Sequence, residues 1–231
     1  MTETQSFLGF ADPISSWTHL AGAVVFLVLA GHLWRRHGDT PSRLAAVLVF
    51  GASSVFLLAM SGVYHLLEDG GVARAVLRRL DHGGIFVLIA GSITAVHLVL
   101  FTGRWRWVMI AVAWTLCTQG VVFKTVFFSE VPEWAGLGLY LVMGWLGLIT
   151  TLRLWWLRGG RFVRLLLAGG VVYTVGAVVD FVGMPVLLPR WIGPHELFHV
   201  LVLVALGLHW GFVGQALATT GHDDDRACLD G

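Results

Sequence analysis

The chain has 231 residues, of which 57% are hydrophobic and 13% charged. Soluble domains carry roughly 25% charged residues, so with a mean hydropathy of +0.79 this is read as an integral membrane protein. A net charge of +1 leaves no electrostatic footprint for nucleic acid.

The first sixteen residues contain no Lys or Arg. A cleaved signal peptide needs a positive start, so the first apolar segment is expected to remain as a span. Crossing a membrane takes about 20 mostly apolar residues. Seven segments meet that length: residues 17–34, 44–67, 83–101, 106–128, 134–157, 162–183 and 196–218. Connections are short, and no linker divides the chain. The fold class predicted is all-α, a seven-transmembrane-helix bundle over residues 1–220. Residues 221–231 (GHDDDRACLDG) are polar and acidic, and are read as a disordered tail.

Trp17, Trp34, Trp105, Trp107, Trp134, Trp155 and Trp156 fall near predicted span ends, which fits an interfacial aromatic belt. Gly136, Gly138, Gly144 and Gly147 on span five suit close helix contact. Cys117 sits in a span and Cys228 in the tail, too far apart in any helical layout for a structural disulfide.

Basic residues set the orientation. Arg35, Arg36, Arg43, Arg104, Arg106, Arg153, Arg158, Arg161, Arg164 and Arg226 share one side, while Arg74, Arg78, Arg79, Lys124 and Arg190 share the other. The positive-inside bias places the C-terminus in the cytoplasm of a bacterial inner membrane.

Polar groups collect at one end. His65 closes span two, Asp81 and His82 precede span three, Asp180 ends span six, and His195 and His199 open span seven. Alternating spans bring all of these to one face. His195 and His199 are four residues apart, so they share a helix face about 5–6 Å apart at Cβ; Ser61 and His65 have the same spacing. A histidine in a span is costly without a partner. Three neutral imidazoles suit a zinc site with an open fourth position, and His65, His195 and His199 are the candidate ligands. Simpler readings stand beside this. Asp81 pairs with Arg78 or Arg79, or stabilises a helix start. Ser61 back-bonds its own helix. Asp180 pairs with Arg190. His19, His97 and His209 serve packing or interhelical bonds, and His32 and His37 are solvated. The run His195-Glu196-Leu197-Phe198-His199 also matches H-E-x-x-H, two ligands and a glutamate base in a metalloprotease. It lacks an obvious acidic third ligand downstream.

SGVYHL (61–66), LRRLDHGGIFVLIAGSIT (77–94), YTVGAVV (173–179) and GPHELFHVLVL (193–203) together resemble the haemolysin III family, the bacterial branch of the progestin and adipoQ receptor superfamily. The pieces run in family order over almost the whole chain. The resemblance implies a seven-helix bundle with zinc held by His65, His195 and His199. It implies Asp81 as the acid that orients the zinc-bound water and Ser61 as the serine beside it. Related receptors and alkaline ceramidases extend the implication to hydrolysis of lipid amides. Three departures stand out. Thr94-Ala95 replaces Thr-Pro, only Asp12 remains of the acids before span one, and Asp180 stands where an aromatic residue is expected. Eukaryotic members place the site on the cytoplasmic side, whereas the basic count here places it outside.

Three functions are therefore in play. The first is a zinc-dependent hydrolase of lipid amide or acyl bonds, its partners being membrane lipids and a lipid substrate. The second is a receptor-like or homeostatic protein with structural zinc. The third is an H-E-x-x-H protease.

Overall fold

The computed structural model describes residues 6–128, 130 and 132–220, with the backbone alone at Glu133. Seven helices run in order: α1 (Pro13–His37), α2 (Pro41–Leu66), α3 (Val72–Leu100), α4 (Gly103–Val126), α5 (Glu133–Arg158), α6 (Gly160–Val182) and α7 (Pro194–Thr220). Each is long and apolar enough to cross a membrane, as the composition requires. The tail read as disordered lies outside the described residues.

Local sequence explains where the helices begin and end. Pro opens α1 and α2, where its missing N–H would have lacked a helical partner anyway. The Thr40 hydroxyl accepts from the Arg43 N–H and caps α2. Gly183 ends α6 in the left-handed region at φ 74°, its N–H reaching the carbonyls of Val179 and Asp180; that conformation favours glycine. The α3 helix starts eleven residues before the apolar segment read as span three. Its first turns (VARAVLRRLDH) are too charged for a hydropathy window but rich in Ala, Leu and Arg, all good helix formers. Asp81 and His82 thus lie inside α3 rather than ahead of it.

Consecutive helices neighbour one another, and α7 closes back onto α1. The α3 helix runs inside this ring and touches α2, α4, α5 and α7. The core gathers Phe50, Leu58, Leu88, Leu206, Trp210 and Phe212. The Phe50 ring stacks on Trp210 at 4.5 Å, and the Trp210 indole N–H donates to Ser54 Oγ at 3.1 Å. Outward faces carry Val24, Val25, Leu27 and Val28 on α1, suited to lipid. At one end Arg43 joins α2 to α7, donating to the Leu217 carbonyl at 2.7 Å and Thr220 Oγ1 at 2.9 Å. The same guanidinium pairs with Asp39 and holds its carboxyl below the usual range.

Candidate metal centre

The start of α1, the ends of α2 and α6 and the start of α7 meet at the other end of the bundle. Nε2 of His65 lies 3.3 Å from Nε2 of His195, which lies 3.1 Å from Nε2 of His199. The candidate ligand atoms of the three residues all fall within 4.8 Å of one another. His65 and His199 are buried, at 3% and 2% exposure.

Two carboxylates fix the rings from behind. Asp12 Oδ2 sits 3.0 Å from His65 Nδ1, and Asp180 Oδ1 sits 3.0 Å from His195 Nδ1. An ionised carboxylate only accepts, so each Nδ1 carries a hydrogen, and in the neutral ring each Nε2 then presents a lone pair. Lone pairs facing one another at about 3 Å repel; a shared cation relieves this. Carboxylate–histidine pairs of this kind orient ligands at metal sites. The donor set therefore fits a metal ion.

The Asp12 carboxylate is itself held. Asp12 also accepts from Arg74 at 3.1 Å. The backbone N–H groups of Asp12 and Ala11 donate to the carbonyls of His65 and Leu66, pinning the N-terminal segment over the end of α2. His199 is fixed differently. The His19 ring stacks on it at 4.0 Å, and His19 Nε2 lies 3.4 Å from its carbonyl. Its Nδ1 has no hydrogen-bond partner among the described residues.

Ser61 is 1% exposed, and its Oγ has no hydrogen-bond partner among the described residues. Ser54 on the same helix and Thr94 on α3 do back-bond, to the Phe50 and Ala90 carbonyls; Ser61 does not follow them. Asp81 is placed one residue from His82, its Oδ2 3.7 Å from His82 Nδ1. Among the described residues it makes no ion pair with Arg78 or Arg79 and no hydrogen bond to the three histidines. Glu196 is buried at 4% exposure, and both its oxygens are engaged. Oε2 accepts from the Gly193 N–H at 2.9 Å and Oε1 from the Ser15 hydroxyl at 3.3 Å. It closes the first turn of α7, as an acid at the third helical position does.

Sequence reasoning brought the three histidines together but missed their supports. Asp180 bonds His195 instead of Arg190. Asp12, the remnant of an acidic pair in the sequence, supports His65, and an acid just before a span is the signal for it. His19 packs and bonds between helices as expected, and its partner in both is the candidate ligand His199. His97 and His209 make the expected interhelical bonds, to Thr150 Oγ1 at 2.9 Å and the Leu166 carbonyl at 3.2 Å.

A cavity of about 410 Å³ runs between α2, α3, α5, α6 and α7, lined by Leu57, Leu88, Val96, Thr150, Phe198 and Val202 among others. Phe198 forms its wall toward the histidines, with ring centres 6.2 Å from His195 and 5.9 Å from His199.

Known proteins share this chain's pattern. A family model described as "Haemolysin-III related" matches residues 10–210. The chain is 34% identical over 165 residues to "Hemolysin-3" of Bacillus cereus, covering 70% of this chain and 74% of that protein. It is 31% identical over 156 residues to "Hemolysin-3 homolog" of Bacillus subtilis (strain 168), covering 68% and 70%.

Proposed function

This chain belongs to the haemolysin III family, and on that premise we propose that it is a zinc-binding membrane hydrolase acting on lipid amide or acyl bonds. The observation that carries the reading is the convergence of three Nε2 atoms, two of them backed by carboxylates. Tetrahedral zinc with Zn–N of about 2.0–2.1 Å sets its nitrogens about 3.3 Å apart. The 3.3 and 3.1 Å separations of these Nε2 atoms are close to that edge. His65, His195 and His199 would hold the ion. When bound, zinc acidifies a coordinated water to a pKa of about 7 and polarises a scissile carbonyl.

The chain's own groups supply the rest. Asp12 and Asp180 keep the Nε2 lone pairs turned inward. The unpartnered Ser61 hydroxyl donates to the developing oxyanion of the substrate. Asp81 accepts a proton from the attacking water and returns it to the leaving nitrogen. The apolar cavity behind Phe198 takes an acyl chain and excludes bulk water.

The structural-zinc alternative needs a closed site with four protein ligands. Among the described residues the cluster holds three, which favours an open position. The protease alternative needs a free glutamate, and Glu196 has both oxygens engaged. From the basic-residue count we also place the C-terminus in the cytoplasm and the histidine cluster on the outer face of a bacterial inner membrane.

The test is hydrolysis of short-chain ceramides and N-acyl amines by purified, zinc-loaded protein. Asp81→Asn should retain zinc and lose about 10²–10⁴-fold in rate, the usual worth of a general base. Tight zinc binding with no hydrolysis across the panel would replace this reading with the structural one.

A further inference from the structure

At the end of the bundle away from the three-histidine cluster, α3, α4 and α5 bring together His97, Trp105, Arg106 and Arg153. His97 is fully buried, and its Nε2 lies 2.9 Å from Thr150 Oγ1. Its ring stacks on Phe101 at 4.6 Å and stands 6.3 Å from Trp105. Arg153, one turn beyond Thr150, sets its guanidinium carbon 4.9 Å from the centre of the Trp105 ring. Arg106 donates to the carbonyls of Phe101 and Leu98 and so caps the end of α3.

Three polar atoms here are buried without a hydrogen-bond partner among the described residues: Nδ1 of His97, Nε1 of Trp105 and Nε of Arg153. The indole and guanidinium nitrogens can only donate. His97 Nδ1 donates as well whenever the Thr150 hydroxyl donates to Nε2. Buried donors in folded proteins almost always find an acceptor. Charge points the same way. Arg43 pairs with Asp39, and Arg74 with Asp12 and Asp69, but neither Arg106 nor Arg153 meets a carboxylate among the described residues. Two cations and three idle donors with no acid call for an anion from outside the chain.

Depth favours a lipid as its source. The 26 residues of α5 span about 39 Å, close to the full width of a bilayer of about 40–45 Å with headgroups. Arg153 lies five residues from the end of α5, about 8 Å inward, which is about 3 Å inside the edge of a hydrocarbon core about 30 Å thick, a depth from which an arginine side chain reaches the headgroups. Thr150 and Val96 also line the apolar cavity, so an acyl chain has a path beside the cationic cluster. We propose that His97, Trp105 and Arg153, supported by Arg106, bind the phosphate of an anionic membrane lipid. The site is independent of the metal centre and of the hydrolase reading.

The test uses full-length protein in neutral detergent. Native mass spectrometry follows lipid retained from mixed micelles of phosphatidylglycerol and phosphatidylcholine. Wild type should retain phosphatidylglycerol in preference. Arg153→Gln should cut that retention about fivefold, the worth of one basic group near a lipid headgroup. Trp105→Phe keeps the ring and loses only the N–H, so it tests the site even where Arg153→Gln fails to fold; it should also weaken retention. In a second arm, thermal unfolding is compared in sodium phosphate and sodium chloride at matched ionic strength. Stabilisation by phosphate that Trp105→Phe loses, without lipid preference, would assign the site to the free anion. Equal retention of both lipids by wild type and both variants, with no phosphate effect, would overturn the proposal. Zinc content should be the same in all three proteins.

Discussion

Asp180 Oδ1 lies 3.0 Å from Nδ1 of His195, so the last turn of α6 sets the ring of the first candidate ligand on α7. Asp12 does the same for His65 from the start of α1. Four helices thus contribute to holding three nitrogens, two of them without offering a ligand. Replacing such a partner costs about 10–100-fold in metal affinity. Asp180→Asn and Asp12→Asn should each weaken zinc by that factor in competition with a chromophoric chelator. Unchanged affinity in both would mean that the carboxylates do not orient the ligands.

Ser61 is expected to separate binding from chemistry. Its buried hydroxyl has no partner among the described residues, so Ser61→Ala leaves none of them unsatisfied. Zinc content should be unchanged, while lipid-amide hydrolysis should fall by about 10²–10³-fold, as when one oxyanion donor is removed. Loss of zinc in this variant would show that the hydroxyl supports the ligands instead.

What the sequence conveyed follows from the range of each interaction. Seven apolar runs specify seven spans, because length and hydropathy are local. The pair His195 and His199 was legible because four residues make one helical turn. His65 joined them through the alternation of an up-down bundle. The roles of Asp12 and Asp180 were not legible. Each acts on a histidine that its own helix does not carry, and only the packing of α1 on α2 and of α6 on α7 creates those contacts. The start of α3 was missed for a related reason: its first turns are polar, and hydropathy reports the membrane rather than the helix.

Close packing of α2 on α3 makes a stability prediction. A Cβ built at Gly91 would stand 2.1 Å from Ser53 Oγ and 2.8 Å from Ser53 Cβ. Gly91→Ala should therefore destabilise the protein by about 1–3 kcal/mol, the usual cost of overpacking. Thermal unfolding in detergent measures this. Gly138, which meets nothing within 4 Å, serves as the control: Gly138→Ala should show no loss. Equal effects at both positions would contradict the packing described.

Orientation is open to a direct check. A reporter active only outside the cytoplasm, fused after Thr220, should stay silent if the basic-residue count governs topology. A strong signal would reverse the bundle and place the histidine cluster on the cytoplasmic face.

The most direct test of the central claim is the zinc content of purified protein, measured by elemental mass spectrometry against protein concentration. Wild type should carry about one zinc per chain, the complement of a single three-histidine site. His65→Ala, His195→Ala and His199→Ala should each lose most of it while eluting as the same monodisperse species. Full zinc retention in His199→Ala would contradict the account.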